Sequence, residues 1–404
     1  MADSLPDKKP TTVDKGGASA GRGGFLAWLA RAKRFRQAFP KPLRRLVLRL
    51  IPRENFQREL WDIDDQYADA EEVSTYPPKV DVTLGIVKEF AHAHRWYVGA
   101  CRDLGVPYKL LDISGPDWIN VIQNSGCDAF LVRPSAHLTI WKQMYDERLR
   151  VMAQELGKII YPTYEELWIY ESKRRMHYWL EANKVPHPRT WVFYDRLQAL
   201  DFCRTVELPI VFKADLGAGA SGVKIFRNRL ALRRFVNRCF KKGMVRCDGD
   251  PRDRQWGCVL LQEYLADAAE WRMVRIGDSY FGYEKGKLGD FHSGSHIRVW
   301  RDPPERLLNF TRNVTRLGGF TSMALDIFEV GGRDYLVNEL QAMFGTSIDV
   351  QMRVGGKPGR YVCDDETVTW HFEEGDFSRN GCCDLRVRAL LKTLGYTVGV
   401  QAGS

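Results

Sequence analysis

The sequence predicts a protein of mixed α/β and α+β class, with a small parallel-sheet domain ahead of a larger region built on antiparallel strands. Three observations support this prediction. From Val80 onward, short buried-strand runs alternate with helical segments. Farther along, a glycine-rich loop joins two strands, and the turn Gly-Gly-Arg-Asp joins another pair. A basic, amphipathic helical extension is predicted ahead of both regions.

The composition is that of a globular protein. A chain of 404 residues has room for two or three domains. No apolar run approaches the roughly 18 to 20 residues that a bilayer span needs, and the start has no signal-peptide pattern, so we expect a cytoplasmic location. The nine cysteines are scattered without C-x-x-C spacing, which indicates reduced thiols. The eight histidines form no standard metal-binding motif.

The net charge of +9 is concentrated at the start of the chain. Residues 1–54 contain 13 basic and 4 acidic residues, and the remainder contains 47 of each. A basic face across the folded body, as expected of a nucleic-acid-binding domain, is therefore not supported.

The first 54 residues are predicted to have two parts. Residues 1–20 are polar and predicted to be disordered. Residues 21–54 show two basic amphipathic helices interrupted by prolines, and such helices are suited to an anionic membrane surface. Docking on the protein's own core and RNA binding without sequence preference remain open alternatives. The apolar stripes consist of Phe25, Trp28, Leu29, Ala32, Phe35 and Phe39, and of Leu43, Leu46, Val47 and Leu50.

The segment from Val80 alternates strands and helices. The runs are "VDVTLGIV", "WYVGACRDLG", "YKLLDI", "WINVIQNSG" and "CDAFLVRP", which predict a parallel sheet with flanking helices. Ligands of such sheets bind beyond the carboxyl ends of the strands. His92, His94 and Arg95 follow the first strand and are therefore candidate substrate contacts, with a solvated capping loop as the alternative.

A lysine occupies the buried face of the next helix. The run "ESKRRMHYWLEANK" predicts a helix that ends near Asn183. Lys173 is spaced i, i+3 and i+7 with Met176 and Leu180, so its side chain projects from the buried face. The alternative is that the aliphatic part of the Lys173 side chain passes over the core and its ammonium group reaches solvent.

The glycine run Gly217–Gly222 matches G-x-G-x-x-G but lies in the wrong context for a dinucleotide-binding turn. A β-branched run, "VKIF", follows it where a helix should begin, and no acid lies at the ribose-binding distance. Val223 and Lys224 also exclude a Walker loop. What remains is a strand–loop–strand hairpin whose backbone amides can hold phosphates. Protein kinases use such a hairpin, but their lysine follows it, whereas Lys213 precedes it here.

The chain resembles the ATP-grasp superfamily over roughly residues 80–360. The resemblance lies in a lysine before a glycine-rich hairpin, another lysine upstream and acidic residues downstream. The superfamily's glutathione synthetase and D-alanine–D-alanine ligase types have a similar α/β domain ahead of the core. The resemblance implies these segments: 79–165, the preceding α/β domain; 166–262, a lid subdomain with the hairpin; 263–375, a subdomain with the metal site; 376–404, a helix and tail.

The resemblance also implies site residues. It implies that ATP is bound by the two lysines, Lys173 and Lys213, and by the hairpin residues Gly217, Gly219, Ser221 and Gly222. It also implies a hinge strand whose main chain holds adenine, at Glu263, Tyr264 and Leu265, and an acid that binds the ribose, Glu270. It implies that three further residues act at the phosphates, Arg272, Lys285 and, in the loop "DFHSGS" from Asp290 to Ser295, Ser293.

A predicted hairpin carries two carboxylates that can meet. Asp326 lies on one strand and Glu339 on the next, and paired carboxylates favour Mg²⁺ bound with nucleotide phosphates. The alternative to a metal site is a pair of strands whose acidic side chains simply face solvent. The family's usual ending is Glu-x-Asn, whereas this chain has Gln341, which offers the same carbonyl oxygen on a longer arm.

These features together predict an ATP- and Mg²⁺-dependent carboxylate–amine ligase that acts on small-molecule or peptide substrates. One alternative is an ATP-grasp kinase that phosphorylates a hydroxyl. Another is a nucleotide-binding scaffold at a membrane surface without turnover. Neither the substrates nor the oligomeric state follow from the sequence.

Overall fold

The computed structural model describes residues 71–90, 92–217, 222–245, 252–290, 292, 295, 297–344 and 351–397. The chain divides into two compact units, Met1–Trp61 and Asp62–Ser404. The predicted disordered segment and basic helices of residues 1–54 lie outside the described residues. Within the described ranges, no helix is both long and apolar enough to cross a membrane, and the eight cysteines there are free thiols.

The first domain contains a four-stranded parallel sheet, as the alternating pattern predicts. The strand order is β2-β1-β3-β4, and the strands are β1 (Leu84–Val87), β2 (Tyr108–Leu111), β3 (Ala129–Leu131) and β4 (Ile160–Tyr161). The helices between them are α1 (Arg95–Leu104), α2 (Trp118–Gln123) and α3 (Thr139–Arg150), the last continuing into a π-helical turn, Val151–Glu155. Gly105 ends α1 with a left-handed φ of 67°.

Two helices lead from this sheet to the next. Helix α4 (Tyr164–Ile169) begins with a capping box formed by Thr163 and Glu166. Helix α5 (Lys173–Ala182) is capped by the Ser172 side chain and ends at Asn183. Its buried residues are Lys173, Met176 and Leu180, so the predicted buried face of this helix is confirmed.

The second sheet has four antiparallel strands in the order β5-β8-β6-β7. Its strands are β5 (Thr190–Phe193), β6 (Ile210–Lys213), β7 (Val223–Phe226) and β8 (Val259–Glu263). Helices α6 (Arg196–Thr205) and α7 (Arg229–Lys242) supply the apolar residues that cover it, among them Leu232 and Val236. Strands β6 and β7 pair on either side of the glycine run, so the predicted hairpin is confirmed.

The third sheet has eight strands and provides the floor of the candidate site. Its main path is β13-β12-β9-β10-β15-β14, with β11 on β10 and β16 on β15. The strands are β9 (Ala269–Ile276), β10 (Ser279–Lys285), β11 (Arg298–Val299), β12 (Ser322–Val330), β13 (Asp334–Gln341), β14 (Arg353–Val354), β15 (Lys357–Asp364) and β16 (Thr369–Glu374). Helix α8 (Glu305–Leu317) precedes β12, and α9 (Arg379–Thr393) packs on α1.

A shared hydrophobic core fixes the position of α5 against this floor. Met176 of α5 belongs to the same buried cluster as Trp271 of β9 and Leu325 of β12. Phe130 of the parallel sheet is part of that cluster as well. The lysine-bearing helix is therefore held over the large sheet by the same apolar packing that joins the first domain to it.

Candidate nucleotide and metal site

Lys173 connects helix α5 to the glycine hairpin and to the large sheet. Its Nζ donates a hydrogen bond to the Gly217 carbonyl at 2.6 Å and lies 3.6 Å from Oε1 of Glu339. Burial alone would lower the pKa of Lys173, but the carboxylates of Glu339, Glu171 and Asp215 outweigh it and raise the pKa. The lysine is therefore a fixed positive charge beside the start of the glycine loop.

Asp215 anchors the hairpin to the amino end of α5. Its carboxylate accepts hydrogen bonds from Ser172 Oγ at 3.0 Å and from the Arg174 backbone N–H at 2.9 Å. A third bond comes from the Arg174 guanidinium at 2.7 Å. On the other side of the loop, a Cβ at Gly222 would lie 2.5 Å from the Ala214 Cβ, so this close approach needs glycine.

Lys213 extends from the end of β6 to the floor of the site. It is buried, and its Nζ donates to Oδ1 of Asn338 at 2.6 Å. Burial lowers the pKa of Lys213 to about 8, although the Glu339 carboxylate acts in the opposite direction. Asn338 reaches this lysine from a β-bulge, because the β12–β13 register shifts between Asp326 and Ile327.

A row of ionised side chains crosses the large sheet. Asp326 on β12 accepts two hydrogen bonds from Arg272 on β9, both at 2.8 Å, and its Oδ2 lies 2.5 Å from Lys285 Nζ on β10. The same Nζ lies 2.8 Å from Oε1 of Glu270. Burial would raise the pKa of Asp326, but Arg272 and Lys285 hold it well below its usual range.

The predicted metal ligands lie together on the floor. Asp326 and Glu339 are directly opposite each other in the β12–β13 ladder, and Gln341 follows Glu339 on the same face. Burial would raise the pKa of Glu339, but Lys173 and Lys213 outweigh it, so the carboxylate stays ionised. Oε1 of Gln341 is buried without a hydrogen-bond partner among the described residues. These hard oxygen donors, one of them unsatisfied, fit a Mg²⁺ ion.

The predicted hinge lies at the end of β8. Glu263 uses its side chain to hold Arg189, accepting hydrogen bonds from the Arg189 backbone N–H at 2.7 Å and from Nε at 2.6 Å. The Tyr264 hydroxyl donates to Asp290 at 3.2 Å. Leu265 directly follows. The contribution of this main chain to adenine binding stays a prediction, as does the ribose role of Glu270, whose carboxylate is paired with Lys285.

The loop predicted to reach the phosphates is partly described. Asp290 forms an ion pair with Arg227 at 2.7 Å, which links this loop to the end of β7. The His292 ring lies 3.0 Å from the Lys285 carbonyl. The predicted site residues Gly219, Ser221 and Ser293 lie outside the described residues.

A cleft lies between α5, the second sheet and β13. Both lysines line it, together with residues of α5 and β8, the segment that precedes β5, and the bulged strand. The remaining lining residues are Met176, His177, Leu180, His187, Thr190, Leu260, Gln262, Val337 and Asn338. Burial, and the neighbouring His187, lower the pKa of His177.

Of the candidate substrate contacts after β1, His94 is held within its own loop, and the substrate roles of His92 and Arg95 stay predictions. His94 is buried, and its Nδ1 accepts a hydrogen bond from the Glu89 backbone N–H at 3.1 Å. Burial lowers the pKa of His94 to about 3, with His92 and Arg95 adding to the effect. His94 is thus a neutral acceptor within the loop.

Sequence reasoning missed three residues of this site. Asp215, two positions after Lys213, had no signal beyond its place in "KAD". Glu171, whose carboxylate accepts from the Gly217 N–H at 3.1 Å, precedes the helix and was not distinguished from surface acids. Asn338 is adjacent to Glu339, so strict alternation from Glu339 would place it on the opposite face, but it is the extra residue of the bulge and its side chain contacts Lys213.

Comparison with known proteins finds likeness in structure alone. No protein-family model and no curated protein matches the chain. A D-alanine–D-alanine ligase structure from Bacillus anthracis shares 13% identity at a TM-score of 0.47, covering 77% of this chain and 98% of that one. An N5-carboxyaminoimidazole ribonucleotide synthetase from Thermotoga maritima shares 17% identity at a TM-score of 0.45, covering 65% of this chain and 68% of that one.

A RimK domain ATP-grasp protein from Sphaerobacter thermophilus DSM 20745 shares 16% identity at a TM-score of 0.45, covering 64% of this chain and 90% of that one. The chain's own order of elements is more informative than these weak likenesses. A parallel sheet is followed by a four-stranded antiparallel sheet with a glycine hairpin, and then by a large antiparallel sheet with paired carboxylates. This is the order of elements that the sequence predicts.

Proposed function

We propose that this chain is an ATP-dependent ligase that joins a carboxylate to an amine. One observation carries the proposal: Lys173 and Lys213, from different elements, meet Glu339 and Asn338 at one buried cleft. Buried lysines beside an ionised carboxylate match the charge of a polyphosphate and its cation. Asp326, Glu339 and Gln341 would hold Mg²⁺, which supplies charge neutralisation at the phosphates.

In the proposed reaction, an oxygen of the substrate carboxylate forms a bond to the γ-phosphorus of ATP. The bond from that phosphorus to the bridging oxygen breaks, and ADP leaves. The amine nitrogen then attacks the acyl carbon and loses a proton, and inorganic phosphate leaves as the amide forms. The lysines contribute fixed positive charge where negative charge develops, and no side-chain nucleophile is needed.

A site for the carboxylate substrate is suggested at the end of the parallel sheet. Arg133 and Ser135 directly follow β3, where ligands of such sheets bind. Arg133 Nη1 and Ser135 Oγ are buried without hydrogen-bond partners among the described residues. A guanidinium with an unsatisfied donor is suited to a carboxylate. We therefore propose that Arg133 binds the anionic group of the substrate.

The test is mass spectrometry of a metabolite extract incubated with ATP, with and without the protein. A ligase gives a new mass equal to two components minus water, with one ADP and one phosphate released. A kinase would add phosphate to a component and release none, and a scaffold would bind ATP without turnover. Arg133→Ala should remove the product while leaving ATP affinity unchanged.

A further inference from the structure

A second cluster of metal-ligating side chains lies on the wall of the cleft, away from the carboxylate pair. His177 and Glu181 are one turn apart on α5, and His187 follows that helix. One ligand atom from each residue lies within 4.8 Å of the other two. The two imidazole rings meet edge to face with their centroids 5.4 Å apart.

The hydrogen bonds of His187 leave a position for a cation. Its Nδ1 lies 2.8 Å from the Val185 carbonyl, which can only accept, so this nitrogen carries the ring proton. Nε2 then faces Oε2 of Glu181 at 3.2 Å. Both atoms carry lone pairs when the imidazole is neutral, and a proton or a metal ion between them would satisfy both.

His177 distinguishes these two cases. Its Nδ1 is buried without a hydrogen-bond partner among the described residues. A proton shared by His187 and Glu181 would give this nitrogen no partner. An ion bound by all three side chains fits the convergence of their ligand atoms. In a tetrahedral zinc site, ligand atoms lie about 3.3 Å apart, and the Glu181–His187 pair already has this separation. Only a small side-chain adjustment would bring the third ligand into place.

We propose that His177, Glu181 and His187 bind a first-row transition-metal ion, with Zn²⁺ as the best match. Two imidazoles and one carboxylate are a zinc donor set, whereas Mg²⁺ and Ca²⁺ prefer oxygen ligands alone. The contact between the Val185 carbonyl and His187 orients that ligand from behind. Both histidines line the cleft, so the coordination position left by three protein ligands is available to water or to a cleft ligand. The site does not depend on the proposed ligase activity.

Zinc binding to the full-length protein tests the proposal without an activity assay. The protein is stripped of metal with a chelator, and one sample is titrated with Zn²⁺ in a calorimeter. A second metal-free sample receives Co²⁺, and the visible spectrum of the Co²⁺ complex is recorded. The variants are His177→Ala, His187→Ala and Glu181→Gln, with His371→Ala, an exposed histidine on β16, as the matched control. Glu181 has a side chain that is 69% exposed, so its variant should fold normally.

The wild type and His371→Ala are expected to bind about one equivalent of Zn²⁺, and each cluster variant should weaken this binding more than tenfold. The Co²⁺ complex should show intense tetrahedral absorption without thiolate charge transfer, since the ligands are nitrogen and oxygen. Wild-type protein that takes up no zinc, or a Glu181→Gln variant that binds it unchanged, would overturn the proposal and leave His187 and Glu181 as a proton-sharing pair.

Discussion

Asp326 and Glu339 face each other across one rung of the β12–β13 hairpin, yet their partners differ. Asp326 accepts two hydrogen bonds from Arg272 and contacts Lys285, whereas the ion pair of Glu339 among the described residues is a longer one, with Lys173. One carboxylate is thus held by neighbouring cations, and the other has free acceptor capacity. Removing their charges should have different consequences.

Glu339→Gln should abolish Mg²⁺-dependent turnover and lower the free energy of unfolding less than Asp326→Asn does, since the volume is kept and the ion pair with Lys173 is 3.6 Å long. Gln341→Asn should be milder, because the same oxygen is moved and not removed. Product formation in the extract assay and denaturant unfolding measure the two effects. Full activity in Glu339→Gln would make the hairpin purely structural. Asp334→Asn, exposed on the same hairpin, is the control.

Asp326→Asn should also abolish turnover, and it should in addition destabilise the fold. In the structure the substitution removes the charge that the half-buried Arg272 and the buried Lys285 share, and leaves Lys285 with Glu270 as its remaining carboxylate partner, which costs about 3 kcal/mol. An unfolding free energy equal to that of the wild type would show that the cations relax at no cost.

Lys173→Ala and Lys213→Ala should each weaken ATP binding more than tenfold, a loss above about 1.4 kcal/mol. Both side chains are buried at the cleft, where their charge is poorly screened. Calorimetric titration with Mg²⁺-ATP measures the effect. Lys224→Ala, which removes an exposed lysine from β7, should bind as the wild type does. Unchanged affinity in both cleft variants would refute the nucleotide site.

ATP affinity should fall as pH rises through about 8. Burial lowers the pKa of Lys213 to about 8, so its charge is present below that pH and lost above it. Phosphate binds the protonated form, so binding weakens on the alkaline side. Lys213→Arg, whose guanidinium stays charged, should flatten the profile even where its affinity is lower. An equal slope in both proteins would assign the titration to another group.

Glu166→Ala should lower the free energy of unfolding by more than about 3 kcal/mol. The fully buried carboxylate accepts from the backbone N–H groups of Thr163, Thr321 and Ser322 at 2.6 to 2.8 Å. It thereby ties α4 to the start of β12, and truncation leaves three backbone donors without their acceptor, the one of Ser322 fully buried. Chemical denaturation gives the difference. A loss below about 1 kcal/mol would mean that water replaces the carboxylate. Glu165→Ala, one residue away and exposed, should be neutral.

Residues 21–54 should carry the protein onto anionic vesicles, because their basic residues each contribute about 1 kcal/mol near such a surface. Full-length protein is expected to float with these vesicles and to lose this in high salt. A chain that starts at Glu54 should stay in solution and still bind ATP. An insoluble shortened chain would mean that the helices dock on the protein's own core. Salt-sensitive RNA binding without flotation would favour the RNA alternative.

Local patterns were sufficient to predict the elements that bear the site. The buried strands from Val80, the helix face with Lys173 and Met176, and the hairpin around the glycine run all follow from periodicity and turn chemistry, which depend on near neighbours. The hairpin itself also follows from its short turn, but the register that this turn sets would pair Asp326 with Asn338, and only the bulge places Glu339 opposite Asp326.

Only the tertiary structure decided the long-range partners. The sequence by itself determined which segments are strands and helices and where their charges lie. It did not determine that Asp326 is held by Arg272, that a bulge aims Asn338 at Lys213, or that His187 approaches His177 and Glu181 beyond the end of a helix. Each of these contacts depends on how separate elements pack, and the apolar core that sets this packing joins residues distant in the chain.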